Sequence, residues 1–588
     1  MRPASDVPTG LVDAVLFVPG FRCASPWAIF RRSLRELQVR EWWLDAMGGW
    51  YDPHLLTGFV PEVSMFGRVH VFGCVAVFFC SMFAGGQNAQ RFQFTEKPGP
   101  HAVGLKVVDQ YDYSRTWRST VDDLGQPYAG ERARPLQTLI WYPALQSGKA
   151  AMTVHDYVVL RETETDFDKK TSSPDVAEQD AGRKDTFNDH LLAVRDAPIE
   201  AGHFPVVIYA PSFSNVSWEN ADLCEYLASF GYVVVASPDM GATTRGMTGD
   251  LTGIEAQARD ISFLIGYAST LPDTEMSAVA VGGFSWGGIS NLFAAARDNR
   301  IKALFALDGS MRYFPGLIKQ SGYAHPDLMG IPLLFFTQGA ITLEEQEQVL
   351  NDPERMSGKS TLNAWTHGDL ITVHMLGLTH GEFSSMFQRD ESFWKGSEKF
   401  MKADYTRADG TTSYAWVARY TVHFLDAYLK HDAAAMDWLK KTPAENGAPL
   451  HFLTASYRAA SGVPATLESF RAELHQKGFD HAAEVYASFQ KQDSTFKLDE
   501  GAINQWGYEL MGSDHLPEAI ELFQWNVAMN PNSGNVYDSL AEAYMKSGDK
   551  EHAIEFYKKS LEKDSSNQNA KDKLKQLESP SAQTKTGN

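Results

Sequence analysis

The chain has 588 residues, too many for a single hydrophobic core, so two to four domains are expected. Its 53 Lys and Arg against 73 Asp and Glu leave a formal charge of −20. That balance excludes a nucleic-acid partner and offers no polybasic patch for an anionic membrane.

Residues 1–64, with scattered Trp and Pro, carry no domain pattern and read as an upstream extension of the reading frame. From Met65 the layout changes. Arg68 provides a positive start, Val69–Phe83 an apolar run, and Ala84-Gly85-Gly86 a small-residue cleavage site. Residues 65–86 therefore read as a signal peptide, with translation starting at Met65 and a secreted or periplasmic product. The apolar run of Val69–Phe83 is short for a membrane span, which makes an uncleaved anchor the lesser reading. Cys23, Cys74 and Cys80 would all be lost with this segment, leaving Cys224 without a disulfide partner. No Cys/His spacing suggests a metal site.

The catalytic-type region is expected over 98–432. Residues 134–144 (RPLQTLIWYPA) form an early strand, and the polar stretch 145–204 reads as an insertion running over the surface. An alternation then sets in. Phe204–Ala210 is a predicted strand, Asn220–Phe230 a helix and Tyr232–Ser237 a strand. Ile254–Leu271 is a helix, Ser277–Val281 a strand and Ile289–Ala296 a helix. Ala303–Leu307, Pro332–Thr337 and Leu370–Leu376 are further strands. Alternating strands and helices imply a doubly wound, mostly parallel sheet covered on both faces.

Within this alternation, Gly283-Phe284-Ser285-Trp286-Gly287 joins a strand to a helix. The Gly-x-Ser-x-Gly pattern exposes a serine at a tight corner where side chains two positions away would collide. A serine hydroxyl needs a base, and the base a third group to orient it. In this architecture the acid and then the histidine follow the serine, on loops at the carboxyl ends of strands. Pro332–Thr337 ends in Gln338-Gly339-Ala340 with no acid before Glu344, whereas Ala303–Leu307 runs directly into Asp308-Gly309. Asp308 is the candidate acid. His380 follows the strand Leu370–Leu376 in a Gly-flanked loop, while His374 lies inside the strand and His367 before it. His380 is the candidate base. An oxyanion would be held by the Trp286 N–H and by an amide of the loop after Phe204–Ala210. Phe213 is the expected donor there and Ser212 the alternative, because Pro211 has no N–H.

Trp141-Tyr142-Pro143, the Gly-Phe-Ser-Trp-Gly-Gly of 283–288 and the Ala-Leu-Asp-Gly of 306–309 carry a resemblance. From about 98 to 430 the chain resembles the α/β-hydrolase branch of dienelactone hydrolases and platelet-activating factor acetylhydrolases. The acetylhydrolases also place their acid behind an Ala-Leu-Asp strand end and a Phe after the loop histidine, here Phe383. The resemblance implies Asp308 as the acid. The chain departs from it in carrying Pro211-Ser212 where relatives often have His-Gly, and a serine where dienelactone hydrolases have a cysteine.

Farther on, Gly507, Ala519 and Phe523 recur 34 residues later as Ala541, Ala553 and Tyr557, with Pro531 closing the first unit. This period indicates tetratricopeptide-type helical hairpins over 466–577. Leu467–Gln490 reads as a degenerate preceding hairpin, and 578–588 as a disordered tail.

The expectation is thus an α/β-hydrolase sheet followed by a small all-α domain. Its function would be hydrolysis of small-molecule or lipid-like carboxylic esters by a serine, without metal or organic cofactor. A peptidase or amidase using the same residues is one rival. A scaffold acting through the helical repeats, by protein binding or self-association, is the other.

Overall fold

A computed structural model describes residues 91–579, except 123, 170–179, 339–359 and 398–404. The expected upstream extension, signal peptide and most of the tail lie outside the described residues. Two compact units are present. A sheet unit falls within Met1–Ala324, Leu333–Ser360 and Ile371–Tyr457, and a helical unit within His325–Pro332, Thr361–Leu370 and Arg458–Asn588.

The sheet has ten strands. In chain order they are β1 (Ala102–Thr116), β2 (Ala133–Ala144), β3 (Val194–Arg195), β4 (Phe204–Ala210) and β5 (Val233–Ala236), then β6 (Thr274–Phe284), β7 (Ile301–Leu307), β8 (Leu333–Gln338), β9 (Leu370–Met375) and β10 (Leu453–Arg458). Their spatial order is β10-β9-β8-β7-β6-β4-β5-β2-β1-β3. The run β5-β4-β6-β7-β8 is parallel, and β2 is antiparallel to both β1 and β5. Four principal helices accompany the strands: α1 (Ala221–Ser229), α2 (Leu251–Ala268), α3 (Trp286–Ala295) and α4 (Arg407–Leu429). This is the doubly wound α/β-hydrolase architecture, with the chain reversing direction across the sheet between β4 and β6.

The central strands explain why the alternation was readable. β4 (FPVVIYA) and β5 (VVVA) are buried at every position, as parallel strands covered on both faces must be. The edges differ. β1 is half-solvated, with Leu105 buried but Lys106 exposed, and β10 (LTASYR) buries only Leu453 fully. Neither carries an uninterrupted apolar run, and β10 falls beyond residue 432, where the catalytic-type region was expected to end.

Most described residues of 145–204 are exposed or part-buried, yet the stretch is anchored to the sheet unit at several points. It contributes a helical turn, Val154–Val158, and the short strand β3, which pairs with β1. Met152, Val154, Tyr157, Phe187 and Ala193 are buried in the sheet unit's core. Some of its charged residues are buried too: Glu164 is 1% exposed and Arg183 is 6% exposed. Polar composition concealed these anchor points because their few buried charges are paired rather than solvated.

The helical unit contains α5 (Leu467–Lys477), α6 (Ala482–Gln492), α7 (Glu500–Gly512), α8 (Leu516–Met529), α9 (Gly534–Ser547), α10 (Lys550–Lys563) and α11 (Gln568–Glu578). The starts of α7 and α9 are separated by the same 34 positions as those of α8 and α10. Gly507 is buried where a Cβ would lie 2.4 Å from the Phe523 ring, so only glycine lets α7 and α8 approach this closely. Ala519, Phe523, Ala541, Ala553 and Tyr557 are all fully buried.

Candidate functional site

Three strand ends converge at the carboxyl edge of the sheet. Ser285 follows β6 with φ 53° and ψ −114°, a conformation that L-residues rarely adopt. Crowding enforces it. A Cβ on Gly283 would come within 2.5 Å of the Ala210 carbonyl oxygen, and one on Gly287 within 2.1 Å. The corner is tied down by three backbone bonds: Ser285 N–H to Leu307 O at 3.0 Å, Gly288 N–H to Ser285 O at 3.0 Å, and Ser310 N–H to Ser285 O at 2.7 Å.

Asp308 follows β7, also at positive φ (43°), and its N–H donates to Phe336 O of β8 at 2.9 Å. The Asp308 side chain is completely buried. His380 opens a short 3-10 turn, His380–Phe383, after β9. The structure brings the three together. His380 Nε2 lies 2.9 Å from Ser285 Oγ, and His380 Nδ1 lies 2.6 Å from Asp308 Oδ2. The imidazole packs beside the Phe284 ring, with centroids 4.9 Å apart. The His380 side chain remains 14% exposed, so the chain of bonds starts at an accessible edge and ends in the interior.

No sequence pattern pointed to Tyr313, whose hydroxyl donates to the second Asp308 oxygen, Oδ1, at 2.8 Å. With His380 on one oxygen and Tyr313 on the other, Asp308 has a fixed orientation. Burial, reinforced by the neighbouring Asp308 charge, pushes the Tyr313 hydroxyl far above its ordinary range, so it serves as a donor.

Facing Ser285 is the loop after β4. Ser212 N–H donates to Glu219 Oε2 at 2.8 Å, so its amide is committed, and the alternative assignment of Ser212 as an oxyanion donor fails on that ground. Ser214, at φ 56°, donates its N–H to Asp239 Oδ2 at 2.7 Å. Phe213 lies between these two anchored residues. On the loop's outer side the Arg245 guanidinium donates to Ser214 O at 3.2 Å and Asn215 O at 3.2 Å, and to Glu164 at 2.9 Å. Trp286 opens α3, where the first N–H groups have no acceptor within the helix. Its indole stacks edge-to-face on Phe213 and on Phe314, each at 5.5 Å, forming an aromatic wall beside Ser285.

Buried carboxyls surround this machinery. Burial pushes Glu219 up to about 7, against the opposing pull of hydrogen bonds from Ser212 and Asn215. It likewise pushes up Glu382, in the His380 turn, to about 7, while the Thr379 N–H and side chain hold it down. Asp239 is raised well above the carboxylate range by burial, partly offset by Ser214 N–H and Arg245. Among the described residues no group of three or more His, Cys, Asp or Glu is arranged to hold a metal ion. No helix among them is long and apolar enough to cross a membrane.

Neither the protein-family models nor the curated protein sequences yield a match to this chain. Among solved structures, a ferulic acid esterase from Streptomyces cinnamoneus is similar, at a TM-score of 0.41 and 18% sequence identity, over 58% of this chain and 93% of that one.

Proposed function

We propose that this chain is a serine hydrolase that cleaves carboxylic esters through an acyl-enzyme intermediate. The observation that carries this reading is the continuous hydrogen-bonded chain from Ser285 Oγ through His380 to Asp308, starting from a strained strand-to-helix corner. In this reading His380 Nε2 takes the Ser285 proton as Oγ attacks the acyl carbon. The Trp286 and Phe213 N–H groups receive the oxyanion. His380 then delivers the proton to the departing alkoxide, and Asp308 stabilises the imidazolium. A water activated by the same histidine releases the acyl group and restores Ser285.

The aromatic wall of Phe213, Trp286 and Phe314 favours a small or lipid-like ester with an apolar portion. The resemblance to dienelactone hydrolases and acetylhydrolases points the same way. Residues 65–86 are proposed as a signal peptide that directs secretion, and 466–577 as tetratricopeptide-type hairpins for packing or self-association.

Labelling of the purified protein with a fluorophosphonate, beside Ser285→Ala, tests the proposal. Labelling and ester hydrolysis are expected in the parent and absent from the variant. Labelling that persists in Ser285→Ala removes Ser285 as the nucleophile and the mechanism with it.

A further inference from the structure

Resting on the esterase reading, we propose that the adjacent residues Glu219 and Asn220 are positioning residues that clamp the Phe213 loop and the His380 loop at a fixed separation. The two loops lie far apart in sequence, and this dipeptide bonds to both.

The Glu219 carboxylate holds the first loop. It accepts from Ser212 N–H at 2.8 Å, from the Ser212 hydroxyl at 2.5 Å and from the Asn215 side-chain amide. The Glu219 carbonyl holds the second loop, accepting from Ser384 Oγ at 3.1 Å and from Met386 N–H at 3.1 Å. Asn220 completes the attachment. Its Nδ2 donates to Phe383 O at 3.1 Å and to Tyr209 Oη at 2.5 Å, and its Oδ1 accepts from Ser385 N–H at 2.8 Å and from Tyr414 Oη at 2.9 Å. Both amide hydrogens and both oxygen lone pairs are thereby used.

Two features set this pair apart from ordinary helix-entry chemistry. Asn220 occupies the N-cap position of α1, yet its side chain makes no capping bond there. An asparagine at that position normally accepts from its own helix, whereas here its whole hydrogen-bonding capacity goes to the neighbouring loops. Glu219 is fully buried, and the donors to its carboxylate are all neutral. A buried carboxyl held by neutral donors is costly to keep, and apolar packing could fill the same volume. What an apolar residue could not do is hold the Ser212 amide away from the oxyanion position and set Phe213 against His380.

The test uses full-length enzyme and the near-isosteric variants Glu219→Gln and Asn220→Asp. Gln turns one acceptor oxygen into a donor facing Ser212 and Asn215, and Asp turns the Nδ2 donor into an acceptor facing Phe383 O. Glu225→Gln, which removes a buried carboxyl on α1 that bonds to neither loop, is the control. The readouts are kcat and KM on a chromogenic acyl ester, normalised to fluorophosphonate-titrated sites, and the inhibition constant of a trifluoromethyl ketone that forms an oxyanion on the serine. Both clamp variants are expected to lose about five- to thirtyfold in kcat with KM within about twofold, and to bind the ketone more weakly by the same factor. Unchanged kcat in both variants, a rise in KM alone, or an equal loss in Glu225→Gln overturns the clamp. Absence of labelling in the parent enzyme would instead refute the esterase reading itself.

Discussion

The two units of this molecule spend their free energy differently. In the sheet unit seven described non-glycine residues have positive φ, and three of them, Ser214, Ser285 and Asp308, lie just past strand ends at one edge. Buried charge gathers there as well, with Glu219, Asp239, Asp308, Arg312 and Glu382 all at 2% exposure or less. In the helical unit Asp514 is the only described non-glycine residue with positive φ, in the turn between α7 and α8, and Asp538 is the only buried charge among the described residues. That unit is held by small residues and rings at a fixed period, which is stability chemistry. Strain and buried polarity cost stability, and where they cluster they mark a geometry kept for another reason. The comparison therefore separates a region in which strain and buried charge surround the candidate Ser285–His380–Asp308 site from one held together by packing.

The largest effect expected of that separation lies at Asp308. Asp308→Asn keeps the shape but no longer stabilises the His380 imidazolium or fixes its tautomer. A drop of about 10⁴ in kcat is expected, with little change in the melting midpoint. Steady-state hydrolysis and a thermal melt on the same preparation check both halves. Phe523→Ala is the mirror experiment in the helical unit, removing a fully buried ring packed against Gly507. A cost of about 3–5 kcal/mol to that unit is expected, with kcat per titrated serine unchanged. A calorimetric melt with parallel labelling would break the contrast if labelling fell in step with the helical unit's unfolding.

Tyr313→Phe is a smaller probe on the catalytic side. It removes the hydroxyl that donates to Asp308 Oδ1 and leaves that buried oxygen short of a partner. A fall in kcat of about tenfold is expected, with KM nearly constant, consistent with loss of one hydrogen bond to a charged group. A change confined to KM would show that Tyr313 lines the substrate's path instead of orienting the acid.

Much of the sheet could be read from sequence because its central strands are unbroken apolar runs bounded by Gly, Pro and Asp. The edges could not. β1 alternates buried and exposed positions irregularly, and β10 is short and largely solvated. The buried anchor points of the insertion 145–204 were not legible because they depend on remote pairing, such as Glu164 with Arg245, which no local pattern reveals. The same distinction runs through the site. Ser285, Asp308 and His380 each follow an apolar strand with glycine close by, so position alone singled them out as candidates. Tyr313, Glu219 and Asn220 act through partners that folding supplies. A hint was nonetheless present in 216–227 (VSWENADLCEYL), where several polar residues interrupt a segment that turns out to be buried throughout. Buried polar groups seek partners, and in this segment Glu219 and Asn220 find theirs in the Phe213 and His380 loops beside Ser285.

Glu225 offers the finest test of the contrast, because it is a buried carboxyl of the sheet unit outside the proposed machinery. It accepts from Tyr157 Oη at 2.5 Å and from Leu192 N–H. Burial raises it from an ordinary value of 4.5 to about 8, the hydrogen bonds opposing the rise. A carboxyl whose value is raised in the folded state favours folding in its protonated form. Its contribution is complete below about 4.5 and is lost as pH climbs through about 8. The parent should therefore lose stability between pH 5 and pH 8 partly on this account, and Glu225→Gln should lose less. Thermal midpoints at the two pH values are expected to differ by a few degrees less in the variant, on the order of what one buried group supplies in a unit of this size. Equal slopes would show that Glu225 is already ionised and compensated at pH 5. Because Glu225 bonds to neither the Phe213 loop nor the His380 loop, its kcat should stay within about twofold of the parent. A buried carboxyl that moves stability with pH but leaves turnover alone would distinguish burial as such from burial put to use at the strand ends.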